Sequence, residues 1–409
     1  MMKRFLIAIM ILLTVSAVAS SETPRFRGPG NDGKFIATGL LQEWPEAGPP
    51  TAWIAEGLGE GYSSASVSDG KIFVTGMTAD QTGHLYILNL QGEHLASIAY
   101  GPETQDEWAP GPRATPTIDQ DRAYLLSGPG VLYALDIVNH AILWQVNILE
   151  RFRGENITWQ LAESLLHYDD KIICTPGGKE GVVVALDKMT GETIWTMADI
   201  QDAASYCAPA LITHNGRRIL ITMTATKVLG IAPDTGALLW SHKHLTRYDI
   251  HAVTPVYADG LLYYSSGYGS GGGVIALSED GATVTQQWLD ETLDCQHHGV
   301  VLVDGYLYGT AQGRAGMVCL ELATGNVMWT SRVISQGSIV YADGMLYVYE
   351  GPRAGVVSLI TPSPEGLDVK GRFTVTAGTE KHWPHPTIAH GLLLIRRGNA
   401  LIAYDVRTN

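Results

Sequence analysis

Residues 183–195 read Val183-Val184-Ala185-Leu186-Asp187-Lys188-Met189-Thr190-Gly191-Glu192-Thr193-Ile194-Trp195. An apolar run is broken by a turn containing Thr190-Gly191, then resumes and ends on a tryptophan. Upstream, residues 165–176 supply a second pair of apolar runs about Asp169-Asp170. Four short strands joined by tight turns form one antiparallel unit whose two faces both need covering.

Copies of the same unit provide that cover. A turn dipeptide between apolar runs recurs at Asp69-Gly70, Gln120-Asp121, Asp169-Asp170, Asn215-Gly216, Asp259-Gly260, Asp304-Gly305, Asp343-Gly344 and His390-Gly391, at intervals of 39 to 51 residues. Asp-Gly and Asn-Gly tolerate the positive φ of a two-residue hairpin, and this interval is propeller spacing. An apolar third strand keeps the beat, from Leu85-Tyr86-Ile87-Leu88 through Val274-Ile275-Ala276-Leu277 to Leu401-Ile402-Ala403-Tyr404. Fourth strands carry Trp144, Trp195, Trp240, Trp288, Trp329 and, more weakly, Phe373, while the first unit has Ile98 there. The eighth unit ends with three strands. Residues 51–56, with Trp53 in the tryptophan position, are expected to supply the fourth.

The fold class read from this pattern is all-β: an eight-bladed β-propeller of four-stranded antiparallel blades, closed by an N-terminal strand completing the last blade. Residues 1–19 read as a signal peptide, with Lys3 and Arg4 before an apolar run and Ala17-Val18-Ala19 as a cleavage site. Residues 20–50 lack any sustained period and are expected to be an ordered extension lying over the domain. Residues 51–409 form the propeller.

Composition narrows the function. A chain of 409 residues with 46 Gly and 17% charged residues suits many strands and turns. Loss of the leader takes the net charge from −14 to about −16. Such a surface repels phosphate backbones, so no nucleic-acid partner is expected. The leader is too short for a membrane span. Export to the periplasm or the medium, as a monomer, is the reading. Cys174, Cys207, Cys295 and Cys319 include no C-x-x-C and are read as buried thiols.

The segments Ala185-Leu186-Asp187-Lys188-Met189-Thr190-Gly191-Glu192-Thr193-Ile194-Trp195, residues 230–240 (G-I-A-P-D-T-G-A-L-L-W) and residues 320–329 (L-E-L-A-T-G-N-V-M-W) resemble the tryptophan-docking repeat of pyrroloquinoline quinone (PQQ) proteins. The resemblance covers roughly residues 51–409. That superfamily includes eight-bladed quinoprotein alcohol dehydrogenases and propellers of outer-membrane assembly machinery that bind no quinone. It implies the fold, and as a cofactor PQQ with a divalent metal. The adjacent cysteines that many of the dehydrogenases place against the quinone have no counterpart here, and no haem motif is present.

In a propeller the chain runs from the rim of one blade to the inner strand of the next, so residues before each inner strand crowd the mouth of the axial channel. Those entry positions give Arg113, Trp159, Glu163, Tyr206, His251, His297, His298 and His382 as candidate ligand-binding residues, with Arg314 and Arg353 from companion loops. Five of the thirteen histidines, those four and His385, sit at entries, where imidazoles serve as metal ligands or as acid and base. They serve equally as hydrogen-bonding groups between blades. The cations suit an anionic group and the aromatics a flat one. No catalytic or metal-binding residue is assigned. The glycine-rich residues 267–273 are read as a flexible mouth loop. The favoured reading is an exported module binding a small-molecule or protein partner at the channel mouth. Alternatives are a PQQ-dependent alcohol or sugar dehydrogenase, and a metal-dependent lyase or hydrolase acting on acidic sugars through the mouth histidines.

Overall fold

Eight antiparallel four-stranded sheets follow one another around a central axis. The computed structural model describes residues 22–313 and 315–408; the expected leader, residues 1–19, lies outside the described residues. Blades 1 to 7 span residues 66–102, 117–147, 166–197, 210–243, 256–290, 300–331 and 337–374. Blade 8 is built from Thr387–Ala389, Leu392–Arg397 and Ala400–Asp405, and its outer strand is Thr51–Ala55, with Trp53 opposite Ala403. The expected closure is therefore present.

Each predicted turn dipeptide joins the first and second strands of a blade, and its first residue sits at φ between 46° and 53°. All eight turns lie on one face of the ring; the entry segments lie on the other. The core lies between blades. Leu166, Ile173 and Trp195 of blade 3, for example, pack with Leu220 and Leu229 of blade 4. Among the described residues no helix is long and apolar enough to cross a membrane. The short helix Ile148–Phe152 is capped by Asn147, whose side chain accepts the Glu150 N–H at 3.1 Å.

The fourth-strand tryptophans lock successive blades together. Trp53, Trp144, Trp195, Trp288 and Trp329 donate their indole N–H to Leu90, Lys188, Pro233, Leu322 and Ser363 carbonyls of the next blade, at 2.8–3.2 Å. Beneath the Trp195 ring lies Gly236, at φ +76°, where a Cβ would come within 2.5 Å of the ring. Trp240 departs from this pattern. The facing turn of blade 5 reaches its glycine, Gly281, one residue early, and the ring lies over Gly230 of its own blade with Nε1 unpaired. The four cysteines are buried and unbridged.

The N-terminal extension enters the ring with residues 22–35, and residues 40–44 then lie over blades 7 and 8. There the Leu40 N–H donates to Asp343 Oδ2 at 2.7 Å, and the Leu41 and Trp44 N–H groups donate to the Val406 and Lys370 carbonyls. From Glu22, beside His390 on the turn face, the chain pairs Thr23 with Val67 of blade 1, and the Pro24 carbonyl accepts from Ile118 of blade 2. It reverses at Phe26–Gly33 and returns as Lys34–Phe35, parallel to Gly337–Ala342 of blade 7. Asn31 reaches blade 4, donating to the Pro209 carbonyl at 2.8 Å. These pairings use inner-strand groups one or two at a time, which leaves no periodic signature in the sequence.

Arg27 holds the hairpin on the axis. Its guanidinium, 4% exposed, donates to the Val300 carbonyl of blade 6 (2.8 Å), the Ile339 carbonyl of blade 7 (3.1 Å) and His385 Nδ1 of blade 8 (3.0 Å). Burial lowers its pKa to about 10, so it stays charged at neutral pH. Arg27→Met keeps an unbranched stem but removes the guanidinium and leaves buried carbonyls without a donor. The expected cost is about 2–3 kcal/mol in urea unfolding; an unchanged midpoint would show that the hairpin is held by other contacts.

Candidate functional site

On the entry face the channel opens into a cavity of about 450 Å³. Its floor is Phe26, at the tip of the hairpin, edge-on to His385 at 5.0 Å. Its walls carry Tyr62, Trp108, Trp159, Tyr206, Tyr268 and Trp383, interleaved with small residues such as Ser64, Ala208 and Ala252.

Side-chain alternation along the extended entry segments decides which residues reach it. Ala162 and Ser164 face the cavity, as do Tyr206 and Ala208, Ile250 and Ala252, and Trp383 and His385. The residue between each of the first three pairs points the other way, into the blades. Of the expected site residues, Arg113, Trp159, Tyr206 and His297 therefore meet at the cavity.

Five others do not line it. Glu163 is buried between blades, where Oε1 accepts the Thr175 N–H at 2.6 Å and burial raises its pKa to about 8. It pins a loop, as Asp202 does for Thr226 and Asp294 for Gly269 and Gly271. His251 has no exposed surface and bonds Ser266 Oγ (2.6 Å) and the Ala225 carbonyl (3.0 Å). His298, also fully buried, stacks against His297 at 4.0 Å. His382 bonds the Tyr349 hydroxyl at 2.5 Å. Arg353 is exposed on its loop, and Arg314 lies outside the described residues.

Several lining residues escaped the sequence reading. Phe26 and Trp108 sit on aperiodic segments. Tyr268 arrives on residues 267–273, a loop that is not loose: Asp294 accepts its Gly269 and Gly271 N–H groups, and Gln312 accepts the Tyr268 N–H at 2.6 Å. Alternation was the available signal for Ala208, Ile250 and Ala252.

The electrostatics are nearly neutral. Arg113 is the cation in the wall, and it is paired with Asp106 at 2.9 Å, both largely buried. Its Nη1 also donates to the Trp159 carbonyl. At the rim the Lys381 ammonium lies over the Trp383 ring (4.7 Å), while neighbouring Glu380 accepts from the Tyr62 hydroxyl at 3.2 Å. Burial lowers the pKa of His297 to about 4 and that of His385 well below the usual imidazole range, so both are neutral above pH 6. No group of three or more His, Cys, Asp or Glu side chains among the described residues is placed to hold a metal ion.

These features do not fit PQQ, a tricarboxylate that in its enzymes is held with a divalent metal. The wall offers one guanidinium, already neutralised by Asp106, and no cluster of oxygen ligands. Among the residues lining the cavity, countercharge for three buried carboxylates is missing.

Comparison with solved structures places the fold. BamB from Moraxella catarrhalis superposes with a TM-score of 0.60 at 16% identity, over 87% of this chain and 99% of that one. Quinohemoprotein alcohol dehydrogenase from Comamonas testosteroni gives 0.67 at 11% identity, over 95% and 81%. The computationally designed Ika8 protein gives 0.57 at 11% identity, over 87% and 99%. At these identities the likeness is one of fold. Comparison with curated proteins finds no match. A family model described as outer membrane protein assembly factor BamB matches residues 81–331 and 270–409. By that match, together with its docked tryptophans, the chain belongs to the BamB-type family of PQQ-repeat β-propellers.

Proposed function

We propose that this propeller is an exported binding module that holds a small ligand in its mouth cavity and performs no cofactor-dependent chemistry. One observation carries the reading: a 450 Å³ aromatic-walled cavity whose floor is a segment of the same chain, locked in place by a buried arginine. A preformed apolar concavity with a few fixed polar groups is the usual form of a ligand site. The leader-like residues 1–19 and the outer-membrane description of the family support a location outside the cytoplasm.

The quinoprotein alternative has the fold in its favour and the site against it. The lyase or hydrolase alternative needs converging histidines, and His251 and His382 are turned away into separate contacts with the Ala225 carbonyl and the Tyr349 hydroxyl. Ala252 lines the cavity, so Ala252→Trp fills it while the blades stay intact. Ligands that raise the melting temperature of the wild type should leave this variant unshifted; an equal shift in both would place binding elsewhere. PQQ with Ca²⁺, an alcohol and an artificial acceptor should give no dye reduction, and sustained reduction would restore the dehydrogenase.

A further inference from the structure

The polar groups of the mouth cavity go further than its shape. Tyr206 Oη accepts the Trp159 backbone N–H at 3.1 Å. Tyr268 Oη accepts from Gln296 Nε2 at 2.6 Å, and the Gln296 amide is oriented by Gln336, which donates to its Oε1 at 3.1 Å. Both phenols thus act as acceptors toward the protein and keep an O–H proton with no protein acceptor. Arg113 Nε is buried and unpartnered although the other guanidinium nitrogens are engaged. His297 Nε2 is buried without a partner as well. Arg113 Nε and His297 Nε2 lie behind the cavity surface, so the two phenols are the donors that a ligand can meet, and the formal charge beside them is cancelled within the Arg113–Asp106 pair.

We propose that the mouth cavity takes a neutral, flat aromatic molecule bearing carbonyl oxygens. This rests on the binding reading above and names the ligand class for it. Aromatic rings present broad faces for stacking: Trp159 beside Tyr206 with centroids 6.4 Å apart, and Tyr62 beside Trp383 at 5.5 Å. A carbonyl brings acceptor lone pairs and no proton, matching the two unpaired phenol donors. A pyranose brings a hydroxyl proton with each oxygen, and those protons would find few acceptors in this wall. A carboxylate would be desolvated against a guanidinium that Asp106 has already neutralised.

Three probes separate the cases in a titration followed by tryptophan emission on the full mature chain: 7-methoxycoumarin, 7-methoxycoumarin-3-carboxylate and methyl β-glucopyranoside. The neutral coumarin should saturate, with at least tenfold weaker binding of its carboxylate and none of the glucoside. Tyr206→Phe and Tyr268→Phe should each weaken the coumarin about fivefold with little change in the melting temperature of the free protein. Tighter binding of the carboxylate or of the glucoside, or full affinity in both phenylalanine variants, overturns the ligand class and leaves the binding module standing. Saturable binding that persists in Ala252→Trp, or no binding of any probe, overturns both.

Discussion

Trp195→Ala is expected to lower the unfolding free energy by about 3–5 kcal/mol. The ring is 7% exposed, packs among Leu220 and Leu229 of the next blade, and donates to the Pro233 carbonyl at 3.0 Å. Truncation leaves a cavity at a blade junction and removes the donor for that carbonyl. The facing Gly236 cannot move in to fill the space, because its backbone is held at φ +76° by the Thr235-Gly236 turn. Urea unfolding of the variant against wild type measures the loss. A change under 1 kcal/mol would show that the docking geometry contributes little to stability.

Acidification is the second large effect. His251, His297, His298 and His385 are buried and neutral, the first two with pKa lowered to about 4 and the others well below the usual value. In the unfolded chain each takes up a proton near pH 6.5. As pH falls below that value the unfolded state binds more protons than the folded one, so stability falls. Glu103 and Glu163 act in the opposite sense. Burial raises them to about 7 and about 8, so the folded state binds their protons first and acidification relieves a penalty. Two carboxyls offset four imidazoles only in part. Stability should peak near pH 6.5 and drop on the order of 4 kcal/mol by pH 4.5. Unfolding free energies at pH 8, 6.5, 5.5 and 4.5 test this; a flat or rising profile toward acid would mean that these imidazoles are hydrated or protonated in the folded state.

The ring was legible because its joints are chemical. Turns such as Asp304-Gly305 demand a particular backbone, and a docked tryptophan needs a glycine beneath it, so both leave residues at a fixed beat. Trp53 disclosed the closing strand for the same reason. The hairpin of residues 22–35 was not legible. Its backbone bonds go to inner edges of blades 1, 2 and 7, each for a residue or two, and no hydrophobic period survives such short pairings. The site was half legible. Entry position named the right segments, but a strand step of one residue turns a side chain from the channel to the blade junction. That is why His297 lines the cavity and His298 does not, and why Tyr206 does and Glu163 does not.

The path of Glu22 carries a consequence for how the molecule can be presented. Glu22 meets His390 on the turn face, while Tyr62, Trp383 and the rest of the cavity open on the opposite side. Any tether upstream of Thr23, natural or engineered, would hold the disc by its underside and leave the cavity pointing away from the supporting surface. A bead or chip coupled through that end should therefore capture solutes without steric hindrance, whereas coupling through a lysine at the rim, such as Lys381 above Trp383, would shade the opening.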